Sequence, residues 1–372
     1  MKRAKHILTI SLLLSLLFGF QMISFAGQSN NEEQKETEKE KFNAGDMIFE
    51  HLLDSYQWHI CTWKGHHIGI NLPIIIFNEG RFYTFSSKVF HHDDKYVTAN
   101  KKTGEDITFT IPKEGKYKNK VVIMNEDGTV TRPIDISITK NVFGLFVSCT
   151  IIVVLFLIVA KQYRKRGEKA PKGLQSLFEM LICFVRDDIA KKSISEKHVD
   201  RYVPYLITVF FFIFINNLLG LVPFFPFGAN LTGNIAITLV LALFTFFITN
   251  IFGNKEYFED IFNTPGVPWF LKLPIPLMPI IELVGCFTKP FVLAIRLFAN
   301  ITAGHIVVLG FISLIFVLAE ISAAAGGAMS VLSLILAIFV DVLELLVAYI
   351  QAYVFTLLSA LYFGMASKEH GH

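Results

Sequence analysis

The hydrophobic pattern changes character twice along the chain. Residues 27–45 (GQSNNEEQKETEKEKFNAG) are polar and low in complexity, the composition of a disordered lead-in. From 46 to 141 short β-rich runs follow (INLPIIIF, GRFYTFSSKVF, DITFTIP, KVVIM and TRPIDISI), separated by NEG, TGED, KEGK and NEDG turns. They predict a small β-rich domain. From 142 to 372 the pattern is one of long apolar stretches. Those at about 142–160, 203–222, 234–252, 275–319 and 329–365 are each long enough to cross a bilayer. The expected fold is an all-α polytopic membrane protein of about five transmembrane helices, with the β-rich domain on its N-terminal side.

The flanks of the apolar runs give an orientation. Residues 1–26 have a basic start (MKRAKH), an apolar stretch and Ser24-Phe25-Ala26 before Gly27, the layout of a cleaved secretory signal peptide. An uncleaved first helix is the alternative, and either places residue 27 onward outside the cytoplasm. After the 142–160 run, KQYRKRGEKAPKG holds six Lys/Arg against one Glu, which marks the cytoplasmic side. The β-rich domain is therefore expected to be extracytoplasmic and the C-terminus, SKEHGH, cytoplasmic, in a bacterial inner membrane. LQSLFEMLICFVRDDIAKK alternates apolar and charged faces at helical period and is expected along the inner membrane surface. GNKEYFEDIFNTPGVPWFLKLP reads as a loop, with Trp269 and Lys272 at headgroup level. The last two apolar runs are expected to form an antiparallel hairpin turning near Gly326-Gly327. The 275–319 run is much longer than a perpendicular span requires, so it must tilt, bend or begin on the surface.

Composition narrows the function. A chain of 372 residues that is 53% hydrophobic, with 37 Phe, is not an ordinary soluble globule, and a net charge of +3 does not suggest nucleic acid. Its four cysteines show no CxxC spacing, so neither a disulfide framework nor a zinc site is indicated. His51, His59, His66, His67, His91 and His92, followed by Asp93 and Asp94, match no zinc-ligand spacing and are read as surface or packed histidines. No cofactor and no metal are expected.

The chemistry lies in the charges of the hairpin. Glu282, Lys289 and Arg296 are spaced by seven and share one helical face, with Asn300 one turn further on. Asp341, Glu344, Ala348 and Gln351 form a single stripe on the last helix. Counting outward from a turn near Ala325 puts His305 level with Glu344, and Arg296 near the level of Gln351. Such residues can simply fasten helices, at roughly 0.6–2 kcal/mol per interhelical hydrogen bond. A His–Glu pair can also titrate near neutrality, the usual fabric of a proton relay. Arg296 keeps its charge at any physiological pH and has no carboxylate at its own level, so its counter-ion is expected on another subunit.

RLFANITAGH (296–305) and ELLVAYIQAYVFTLLSALY (344–362) closely resemble the two signature helices of the subunit a family of F-type ATP synthases. The resemblance covers about 142–369, including NNLLGLVP, LTGNIAITL and MASKEH, and leaves 27–138 outside. Many bacterial members carry a glutamate where this chain has His305 and a histidine where it has Glu344; the arrangement here is that of the mitochondrial type. The resemblance implies a non-catalytic stator subunit beside a ring of c subunits, with peripheral-stalk subunit b as a second partner and the catalytic head contacted indirectly. It implies two proton half-channels separated by Arg296, whose charge lowers the pKa of each passing ring carboxylate. Matched by position, His305, Glu344 and Asn234, with Asp341 in addition, fall to the extracytoplasmic half-channel. Glu282 falls to the cytoplasmic one, and Asn300 and Gln351 position Arg296. Two other readings compete. A secondary transporter would show inverted repeats, and none is seen. A membrane-anchored sensor would leave the hairpin charges without work.

Overall fold

The computed structural model describes residues 44–45, 48, 52–63, 66–91, 95–99, 106–112, 115, 117–124, 129–166, 170–222, 228–262 and 277–367. The leader expected at 1–26, almost all of the lead-in expected at 27–45, and residues 263–276 with Trp269 and Lys272 lie outside the described residues, as do the side chains of the clustered histidines. One unit is built on Phe49–Val147, another on Ser148–Leu221 with Asn230–His372.

The first unit is antiparallel β structure. Strands β1 (Gln57–Trp63) and β2 (His66–Asn71) pair with each other. Strands β3 (Pro73–Asn78), β4 (Arg81–Ser86) and β9 (Ile134–Asp135) lie in the order β4-β3-β9. Strands β5 (Lys95–Ala99), β6 (Asp106–Thr110), β7 (Val122–Met124) and β8 (Val130–Thr131) follow one another in a third sheet. Four of the five expected runs coincide with β3, β4, β6 and β7, and TRPIDISI supplies β9. Strands β1, β5 and β8 and most of β2 were not expected, because histidines, lysines, short length and flanking polar residues hide the period-two pattern. Between β3 and β4, Glu79 (φ 47°) and Gly80 (φ 78°) are both left-handed, the geometry of a two-residue type I′ hairpin turn.

Ile74, Ile76, Phe109, Val121 and Ile123 form this unit's core. Tyr56 closes one side: its hydroxyl donates to Asp135 and accepts from the Val121 N–H at 3.3 Å. The unit also caps helix α1 (Lys140–Arg166), whose Lys140 and Asn141 N–H groups donate to the Ser55 carbonyl (2.9 Å) and the Asp54 carboxylate (3.0 Å).

The second unit is helical. Helix α2 (Leu174–Cys183) continues through a π-helical run, Phe184–Ala190, and a last turn, Lys191–Ser193. This is the segment expected on the membrane surface. Phe178, Val185, Ile189 and Ala190 are buried in the helical core, while Asp187 and Asp188 hold Lys191 and Lys192 at 2.8 and 2.7 Å on the exposed side. Helix α3 (Glu196–Leu221) ends two residues before Pro223, and α4 (Ile235–Ile251) follows. Helix α5 (Lys255–Phe262) leaves α4 at 102°. Helices α6 (Leu277–Ile321, 45 residues) and α7 (Ala323–Ala366, 44 residues) make the hairpin. Among the described residues four helices are long and apolar enough to cross a membrane, or five if α4 with α5 counts as one bent span. At 1.5 Å per residue each hairpin helix is about 66 Å long, twice the hydrocarbon thickness, so both must lie oblique or project beyond it.

The hairpin reverses at Ser322, one extended residue (φ −160°, ψ 134°), and not at the glycines. Gly326 is helical and buried; a Cβ there would come within 2.7 Å of the Ala319 Cβ. Its role is close approach of the two helices rather than reversal of the chain. Three helices are tied by hydroxyls: Tyr205 (α3) to Thr245 (α4) at 2.9 Å, and Thr245 to Ser359 (α7) at 3.2 Å.

Candidate functional site: the polar rung of the hairpin

Helix α6 turns Leu293, Leu297 and Ile301 into the bundle, and the 3.6-residue period then carries Arg296 and Asn300 to an exposed face. Nine residues beyond Arg296, His305 reaches α7. Its Nδ1 lies 3.3 Å from each carboxylate oxygen of Glu344, and the two side chains keep only 19% and 10% of their exposure. Gly304 makes this possible, because a Cβ at that position would overlap the Glu344 carboxylate. Glycine is thus required here for space, not for its backbone freedom.

The pair opens on a cavity of about 120 Å³, lined also by Asn217 (α3) and Asn300, which is room for several waters. Asn217 is buried; its Nδ2 donates to the Ala348 carbonyl at 3.2 Å, while Oδ1 has no partner among the described residues. Asn217 was not among the expected site residues. The signal was in the sequence: two adjacent asparagines inside FFFIFINNLLGLV, where polar side chains are expensive. Asp341 stands one turn before Glu344, half-buried, with Oδ2 enclosed and unpartnered.

The remaining expected residues are placed differently. Gln351 is buried on α7 while Arg296 is exposed on α6, and no hydrogen bond joins them. Among the described residues Arg296 forms no ion pair. Asn234 caps α4, its Oδ1 accepting from the Ala236 N–H at 3.0 Å, and does not line the cavity. Glu282 is half-buried near the start of α6, within electrostatic reach of Tyr257 on α5. Lys289 lies 5.9 Å from the centre of the Tyr362 ring.

The helical unit thus sets an arginine on an exposed helix face, and an enclosed imidazole–carboxylate pair two to three turns further along beside a cavity with Asn217 and Asn300 in its wall. Comparison with known proteins gives the family. Residues 142–364 match the ATP synthase A chain model, and 47–139 match a domain of unknown function (DUF8433). The chain is 45% identical over 246 residues to ATP synthase subunit a of Pelodictyon phaeoclathratiforme, covering 64% of this chain and 68% of that one. It is 43% identical over 244 residues to ATP synthase subunit a 2 of Prosthecochloris aestuarii, covering 64% and 71%. This chain belongs to the ATP synthase A chain family, membrane-sector subunits that are not themselves enzymes.

Proposed function

We propose that this chain is the proton-translocating stator subunit of an F-type ATP synthase, seated beside the c-ring and held by peripheral-stalk subunit b. The observation that carries the reading is the His305–Glu344 contact at 3.3 Å, beside a cavity that also reaches Asn300, one turn from the unpaired Arg296. Protons enter the extracytoplasmic half-channel through the cavity, pass by His305, Glu344 and Asp341, and are delivered to a ring carboxylate. On the opposite side of Arg296 a deprotonating ring carboxylate gives its proton to a path ending at Glu282. The guanidinium draws each arriving carboxylate into its charged form, and it bars a direct proton wire between the two paths. A charged, unpaired ring carboxylate is too costly to expose to lipid until it is reprotonated, which ties transfer to rotation.

For topology, we read residues 1–26 as a removed leader, 27–45 as a lead-in, 46–141 as an extracytoplasmic domain, and α4 with α5 as one bent span, giving five spans and a cytoplasmic C-terminus. The α4–α5 bend and the six Lys/Arg after the first span support this order.

The test is ATP-driven proton pumping and passive leak in inverted membrane vesicles carrying Arg296→Ala, with assembly checked by co-purification of the c-ring. Loss of pumping in an assembled complex is expected. Normal pumping would leave Arg296 as a helix fastener and end the mechanism.

A further inference from the structure

Glu282 and Arg296 are separated along α6 by about 21 Å at 1.5 Å per residue, far beyond the roughly 3 Å over which a proton passes between hydrogen-bonded atoms. Something must stand in the interval if the exit path ends at Glu282. Between them, Cys286, Lys289 and Pro290 of α6 meet Thr249 and Asn250 of α4 and Tyr257 of α5 around a second cavity of about 20 Å³, the space of a single water. The Tyr257 hydroxyl is 3.6 Å from the Cys286 Sγ, and that sulfur is 3.6 Å from the Asn250 Oδ1. The Asn250 Nδ2 is turned back on its own helix, donating to the Phe246 carbonyl at 2.8 Å. This fixes the amide so that its oxygen faces the cavity.

The backbone contributes as well. Pro290 is inside α6 and has no N–H to give to the Cys286 carbonyl. In a membrane a carbonyl freed in this way takes a donor from a neighbouring side chain or a water. The position of Tyr257 depends on the α4–α5 bend, because a Cβ at Gly253 would come within 2.8 Å of the Tyr257 ring. The bend and the close approach at Gly253 therefore bring a hydroxyl and an amide oxygen to either side of the Cys286 thiol, at a cavity whose wall includes both Cys286 and Pro290.

We propose that this point is a one-water relay site in the middle of the second half-channel, with the water held by the Cys286 carbonyl, the Asn250 Oδ1 and the Tyr257 hydroxyl. The proposal rests on the roles given above to Arg296 and Glu282. The water accepts a proton from the Arg296 side and gives up another toward Glu282, so it is unchanged after each passage. Lys289 disfavours a resident hydronium and so keeps each passage brief.

The experiment uses the whole ATP synthase in inverted vesicles. Asn250→Leu combined with Tyr257→Phe is expected to lower ATP-driven pumping about tenfold or more, with the c-ring still co-purifying. A small water-borne methanethiosulfonate is expected to modify Cys286 in the wild-type complex, read by mass spectrometry of the Cys286 peptide, with pumping falling in step. Undiminished pumping by the double variant overturns the relay even where Arg296→Ala abolishes pumping. If the double variant fails to assemble, an unmodified Cys286 overturns it instead. Normal pumping by Arg296→Ala removes the parent reading, a distinguishable result.

Discussion

The Glu344 carboxylate lies in the space that a side chain on Gly304 would fill, so the position of the acid is set by an absence on the facing helix. Gly304→Ala leaves every ionisable group in place yet must push that carboxylate away from the His305 Nδ1. Pumping in vesicles should fall by up to about a hundredfold, as displacements of the order of 1 Å do in sites built on alignment. Unchanged pumping would mean that the 3.3 Å contact is not needed for transfer.

The same pair predicts an asymmetry between single and paired changes. His305→Ala or Glu344→Ala removes half of the proposed relay and should cost roughly a hundredfold in pumping. The exchange His305→Glu with Glu344→His keeps one imidazole and one acid across the same gap and should pump faster than either single variant. A double variant no better than the singles would show that position, rather than pairing, decides.

The N-terminal domain carries a pH signature of its own. Burial, with the hydrogen bond to the Asp135 carboxylate next, holds the Tyr56 hydroxyl well above its ordinary value near 10. A group with a raised folded pKa adds stability that is complete below the unfolded pKa and is lost as pH rises beyond it. The domain should therefore weaken above pH 10, read as urea unfolding followed by fluorescence of the buried Trp58. Tyr56→Phe should cost about 1–3 kcal/mol at neutral pH and flatten that alkaline loss. An equal alkaline loss in the variant would assign it to another group.

Gly326→Leu should separate the hairpin helices where they run closest. Overpacking at such a contact costs about 1–3 kcal/mol, so the purified complex should release its c-ring at a lower temperature. Gly327 is exposed, and the space around it is open, so Gly327→Ala is the control expected to behave as wild type.

Much of this could be read from the sequence because membrane helices announce themselves by length and apolarity. All five apolar runs became helices, the largest shifts of an end being the early starts at Glu196 and Ala323 and the late end at Arg166. The hairpin turn was misplaced because glycine pairs suit both tight turns and tight packing, and periodicity does not separate these. Counting depth from that turn nevertheless put His305 beside Glu344. Between the Gly326–Ala319 approach and this pair, α6 advances 14 residues and α7 advances 18, so the hairpin slips by about a turn. That slip is a tertiary property with no local signature. Asn217 was missed although its pair with Asn216 stands out in an apolar run, because only the packing of α3 against α7 brings it to the site.

The hydroxyl link from Tyr205 through Thr245 to Ser359 has a mechanical meaning. A stator must resist sideways drag as the ring turns, and a fastening made of charges would loosen and tighten with every passing proton. Serine and threonine hydroxyls do not titrate and can exchange donor for acceptor without moving. On the proposed function, this link fastens α3, α4 and α7 through groups that the proton gradient does not charge.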